Sequence, residues 1–320
     1  MTYARVPDLL LTFFLACLSG HAAEHDNWYL ANEWDVSDTQ GVAYYEDNVT
    51  GIGQIYVANG SGTSSKISVY DLNGSLNRDI VIANSRFYAY DLAMDTNGTL
   101  YIGERYAVTC LENDGTFKWR IGKGNTSISN YGSSGSGDGE FNYALGIAVH
   151  ASSGEVFVAD EQNRRVQVFD KDGNFIRKFG SNGTAPGQLL SVMDLAFLKD
   201  GRLVVSDNKK LHWFNADGTF IKRTADFDPS YVSVSHTGLI FAYDKAQGTY
   251  KGSLFDAEGD YISTLGIHPV HHRVRSAFTP SGDFIDSYDN KIRIWKRAYR
   301  TKGLPVRNVI PQPAVRAITQ

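Results

Sequence analysis

The feature that most restricts this chain is that it repeats itself. Residues 156–175 read VFVADEQNRRVQVFDKDGNF: an apolar run from Val156 to Ala159, a turn at Glu161-Gln162-Asn163, a second run from Arg165 to Phe169, and a glycine turn at Asp172-Gly173. A short run that is apolar on both alternating faces reads as a strand covered on both sides. Asp-Gly and Asn-Gly pairs between such runs read as hairpin turns. The first of these runs recurs at Ile55 to Asn59, Leu100 to Glu104, Leu203 to Asp207, Ile240 to Asp244 and Phe284 to Asp289. A following strand recurs too, at Ile67 to Asp71, Val108 to Leu111, Val166 to Asp170, Leu211 to Asn215, Ser253 to Asp256 and Ile292 to Trp295. Glycine turns close five units, at Gly74, Gly115, Gly173, Gly218 and Gly259, and the sixth lacks one.

Each unit also opens on a strand with a small residue: Ala43, Ala93, Ala148, Ala196, Ser233 and Ala277, spaced by 50, 55, 48, 37 and 44 residues. Small side chains fit strands that crowd around an axis. A sheet this small cannot bury its own faces and needs neighbours. Spacings of this size suit one four-stranded blade per unit, closed radially so that few edges stay open. The expected fold class is therefore all-β, a six-bladed β-propeller of four-stranded antiparallel blades. The sixth blade needs an outer strand from elsewhere. Either Trp28 to Trp34 (WYLANEW) supplies it as a ring-closing clasp, which is preferred, or Ala298 to Leu304 supplies it locally.

The best-formed unit carries a family resemblance. Gly137-Asp138-Gly139-Glu140-Phe141-Asn142, Gly146-Ile147-Ala148-Val149, Val156 to Asp160, Asn163-Arg164-Arg165-Val166, Val168-Phe169-Asp170, Gly173 and Phe179-Gly180 together resemble an NHL repeat. Unit four is close, through Gly187-Gln188, Asp194-Leu195-Ala196, Ser206-Asp207, Phe214 and Asp217-Gly218; units one and two are looser and five and six degenerate. The resemblance runs from about residue 35 to 297. It implies the propeller and says little about activity.

The ends differ from the body. Arg5, the apolar run LLLTFFLACL from Leu9 to Leu18, and the small residues Ser19, Gly20, Ala22 and Ala23 have the order of a secretory signal peptide. Residues 1–23 are thus expected to be removed, residues 24–299 to form the propeller, and residues 300–320 to be a basic, proline-containing tail or linker. The expected location is secreted, periplasmic or extracellular. Lipid attachment at Cys17 is disfavoured by Leu15 and Phe14 before it. The mature chain then keeps only Cys110, which cannot form an internal disulfide and reads as a core thiol. From Asn290 onward there are eight basic residues and no acid, so of the net −4 the rest of the chain carries −12. That acidic body argues against nucleic acid as a partner. A transmembrane segment is not expected after leader removal, and the chain is expected to be a monomer. Asn-x-Ser/Thr triplets stand at Asn48, Asn59, Asn73, Asn97, Asn125 and Asn182. The Gly/Ser-rich segment from Ile121 to Glu140 reads as a mobile insertion.

Aligned units place Asn59, Glu104, Asp160, Asp207, Asp244 and Asp289 at one end of the ring. With Tyr90, Met193, Tyr231 and Arg275, they form the expected ligand-binding mouth, since loops on a rigid frame carry recognition. The expected ligand is a protein, a small molecule or a glycan. Carboxylates from several blades suggest Ca²⁺, and His268 and His272 share a face and suggest Zn²⁺. Asp160, Asp207, His268 and His272 are therefore metal candidates. The competing reading, preferred here, is that such acids cap their own turns or pair locally, as Asp160 can with Arg164 or Arg165. No cofactor is expected on that reading. The alternative function is a metal-dependent lyase or hydrolase, lactonase- or amidating-lyase-like, with its site at the axis. No Ser-His-Asp spacing or phosphate-binding glycine loop accompanies it. The catalytic residues of such an enzyme are not identified by the sequence.

Overall fold

A computed structural model describes residues 28–59, 66–81, 89–124, 132–224, 227–244, 251–265, 275–288 and 290–297. The expected leader (1–23) and tail (300–320) lie outside them. Six separate sheets, each of four antiparallel strands, succeed one another along the chain. Their innermost strands are Thr39–Glu46, Ala89–Met94, Ala144–Val149, Val192–Phe197, Pro229–Val234 and Ser276–Phe278. In the first five blades the strands lie from the axis outward in the order in which they occur along the chain. Among the described residues the only helical turn is the 3₁₀ segment Glu161–Asn163. No described helix is long and apolar enough to cross a membrane.

The second strands are buried on both faces, as their unbroken apolar runs required. The core is accordingly a set of wedges between blades. Phe157 meets Phe197 of the next blade edge-on at 4.9 Å, and Phe241 meets Phe284 at 4.4 Å. Such pairs add to simple area burial. Cys110 is fully buried, and burial pushes its thiol up to about 12, so it behaves as a core residue.

The sixth sheet is completed by Trp28–Asp35, which pairs with Lys291–Arg297 from Trp28↔Arg297 to Asp35↔Lys291. The clasp explains why unit six has no closing glycine turn: its outer strand does not follow it in sequence. Trp28 is buried against Phe284, and Trp34 lies on the Gly74 turn of blade one, where a Cβ would come within 2.8 Å of the indole. The clasp therefore joins blade six to blade one through side chains as well as backbone.

The insertion-like segment differs from its expected mobility where it is described. Arg165 donates to the carbonyls of Ser136, Gly137 and Glu140 at 2.8–3.0 Å, and Asn163 donates to that of Gly135 at 2.8 Å. A buried guanidinium thus fixes a glycine-rich strip that composition alone reads as loose.

Candidate functional site

The strand-end residues do not form an open mouth. Asn59, Glu104, Asp160 and Asp207 are 4, 3, 0 and 4% exposed, and each turns into its own blade or the segment beside it. Asn59 donates to Ser68 Oγ, and Glu104 takes Arg120 at 2.7 Å. Asp160 accepts from the Asn142 amide, Asn163, Arg165 and Gln167, and Asp207 from the amides of Leu190, Ser191 and Asn208. The reason is geometric. The sheets stand radially, so side chains at a strand end point along the ring and not toward its axis. Asp160 pairs with Arg165, while Arg164 sits in left-handed backbone at φ 55° and donates to the Leu190 carbonyl. The Asp244 side chain, Asp289, His268 and His272 lie outside the described residues. Among the described residues, no three His, Cys, Asp or Glu side chains gather in a metal-binding set.

What does gather at this end is a cluster of tyrosines around an arginine. Arg105 follows Glu104 in the turn after the second strand of blade two. Its Nη2 donates to Tyr143 Oη at 2.6 Å, and its guanidinium lies over the Tyr106 and Tyr143 rings at 5.2 and 4.9 Å. Tyr143 also packs on Tyr90 and Tyr106 with ring centroids 6.0 and 6.1 Å apart. All four side chains are half-buried. Tyr143 has φ 68°, a region that bulky residues rarely adopt. It is held there from both sides: its amide donates to the Arg105 carbonyl, and its carbonyl accepts from the Glu161 amide. The patch continues through Glu161, which takes Ser191 Oγ at 2.7 Å, to Met193. Tyr90 and Met193, expected at the mouth, are thus in it; Arg105, Tyr106 and Tyr143 were missed.

A second constellation closes the axis. Two positions before each repeat-aligned small residue stand Gly41, Asp91, Gly146, Asp194, Tyr231 and Arg275. That register was the available signal, hidden because the six residue types differ. Arg275 reaches across the ring from blade six to donate to the Leu145 carbonyl of blade three at 2.7 Å. Its Nη1 lies 3.2 Å from Asp194 and 3.8 Å from Asp91, and Tyr231 stacks beneath the guanidinium at 4.1 Å. Each aspartate also stitches its blade to the next, Asp91 by accepting from the Ile147 amide and Asp194 from the Val232 amide. The glycines make room: a Cβ at Gly146 would fall 2.5 Å from Asp194 Oδ1.

Burial and the neighbouring Asp91 carboxylate raise Asp194 to about 7, against the pull of Arg275. Asp91 is also raised, first by burial. A carboxyl whose value rises on folding holds its proton longer in the folded state. Its contribution to stability is full below the ordinary value near 3.8 and is lost as pH rises through about 7. Asp194→Asn should therefore show a smaller decline in unfolding midpoint between pH 4 and 7 than the wild type. Parallel thermal scans check this, and identical slopes would refute it.

On the far side of this closure a funnel of about 740 Å³ opens between the inner strands. The ring thus has two faces: a tyrosine–arginine patch at one end and a closed funnel at the other.

The comparisons agree with this architecture. A family model described as a 6-bladed beta-propeller matches residues 145–295. The chain is 48% identical over 77 residues to the RING finger protein nhl-1 of Caenorhabditis elegans, covering 24% of this chain and 8% of that protein. It is 29% identical over 143 residues to the protein brain tumor of Drosophila melanogaster, covering 42% of this chain and 14% of that one. The match therefore spans a small part of either relative's length. Among solved structures, a streptogramin B lyase superposes with a TM-score of 0.58 at 13% identity, over 85% of this chain and 98% of that one. Repeats, strand order and relatives converge on one architecture: the chain folds as a six-bladed β-propeller and is similar over part of its length to nhl-1 and brain tumor.

Proposed function

We propose that the chain is a protein-binding module that receives its partner on the patch of Tyr90, Arg105, Tyr106 and Tyr143. The observation that carries this reading is the half-exposed aromatic cluster built around Arg105 and fixed by a strained Tyr143 backbone. Tyrosine and arginine dominate the energetics of protein interfaces, and a patch already held in place loses little entropy on binding. Backbone strain concentrates where structure serves function. The likeness to NHL-repeat proteins supports the same reading. We place the module outside the cytoplasm, delivered by residues 1–23; the amino terminus of exported protein should then begin near Glu24.

Propellers of this shape include enzymes, and a lyase or hydrolase here would use the axial funnel. Binding is favoured because the strand-end acids offered as metal ligands are consumed by bonds within the ring.

The test places a photo-crosslinking residue at Tyr106 and compares capture by the wild-type surface with Arg105→Ala/Tyr143→Gly. Glycine suits the φ at residue 143, so that variant removes the ring while relieving the backbone. Loss of a cluster at the centre of an interface should weaken capture about 30-fold. Capture undiminished by the double variant would overturn the patch as the contact surface.

A further inference from the structure

The geometry points to a second binding site: we propose that the funnel opposite the tyrosine patch takes a neutral, polyhydroxylated ligand such as a sugar. The funnel is walled by inner strands, inside which no further strand lies among the described residues, so backbone donors and acceptors face it. Tyr44, Phe197 and Phe278 add aromatic surface, and His150 and His236 stand at its rim. Its volume of about 740 Å³ falls within the ordinary range for small-molecule sites, about 300–1,000 Å³.

The floor defines the chemistry. Arg275 is 3% exposed and lines the funnel, and its Nη1, ion-paired with Asp194 at 3.2 Å, makes no aligned hydrogen bond among the described residues. Nη1 is near Asp194 and Asp91 in distance but aligned with neither. An acceptor entering the funnel offers this ion-paired donor the aligned hydrogen bond it lacks. An anionic acceptor would be set against two carboxylates. An ammonium group would be set against the guanidinium. A hydroxyl fits both, because it accepts from Nη1 and donates its own hydrogen to a neighbouring carboxylate oxygen. Sugar rings add C–H faces that suit the aromatic walls.

Ligand-observed saturation-transfer NMR on the full chain tests this, with methyl α-D-glucoside, methyl α-D-galactoside and myo-inositol as probes and citrate and spermidine as charged controls. At least one neutral probe should bind, and neither control should displace it. Arg275→Met should weaken that binding about tenfold or more, since it removes that donor. Ala151→Trp places bulk at an exposed position of the rim without touching the axial closure, so it tests the site even if the arginine variant fails to fold. It should abolish binding with an unchanged unfolding midpoint, while Tyr106→Ala on the other face leaves binding intact. Absence of binding by all three neutral probes, displacement by citrate or spermidine, or wild-type binding by Ala151→Trp overturns the assignment.

Discussion

A chain that begins at Val36, without the clasp, should lose about 10 °C or more in unfolding midpoint, or lose its cooperative transition altogether. Trp28 alone is a buried large side chain, and emptying such a site costs about 3–5 kcal/mol. A whole domain is stable by only about 5–15 kcal/mol. In a chain of this size each kcal/mol moves the midpoint by about 2–4 °C. Deletion also strips the strand Lys291–Arg297 of its partner and exposes a long sheet edge. The measurement is thermal unfolding of the shortened and full chains side by side, with Trp28→Ala as an intermediate case. A shortened chain that melts within about 2 °C of the full one would show that the ring closes without its clasp.

The clasp was legible because unit six runs out of glycine turns before Pro305, so that its outer strand has to come from elsewhere. The blades were legible for a similar reason. Runs such as Val156 to Ala159 have too many apolar residues for a one-sided strand, and the Asp-Gly turns fix where each ends. The candidate site was less legible. Alternation tells which residues share a face of a sheet, but not whether that face looks at the axis or at the next blade. Asn59, Glu104, Asp160 and Asp207 each end the second strand of a blade, yet their bonds run into their own blade or the segment beside it. Tyr106 and Tyr143 escaped notice because nothing in a linear reading brings a turn of blade two beside the entry to blade three. Tyr231 and Arg275, expected at the mouth, lie instead in the axial cluster, and their partners Asp91 and Asp194 escaped because the residues at that position do not share a chemistry.

Asp160→Ala is the single substitution expected to cost most, about 3–5 kcal/mol in urea or thermal unfolding. The carboxylate is fully buried and receives Arg165 at 2.8 Å, Gln167 at 3.1 Å, Asn163 at 2.9 Å and the Asn142 amide at 2.8 Å. Burial raises its own pKa, so the site tolerates the charge only because these donors surround it. Removing it strands a buried guanidinium and several donors at once. Because Arg165 also holds the carbonyls of Ser136, Gly137 and Glu140, the strip it anchors should become open to proteolysis. A cost below about 1 kcal/mol would mean that those carbonyls satisfy Arg165 unaided, and that the strand-end acid is dispensable.

The layer of glycine and aspartate at the axis bears on how such a ring can be rebuilt. The space left empty at Gly41 is occupied by the backbone of Asp91, and the space left at Gly146 by Asp194. Blades one and two, and likewise three and four, are therefore matched couples. Transplanting a single blade would set two carboxylates, or two voids, side by side. Moving a couple together would preserve the fit, so among the first four blades the interchangeable part in any duplication or redesign is two blades long.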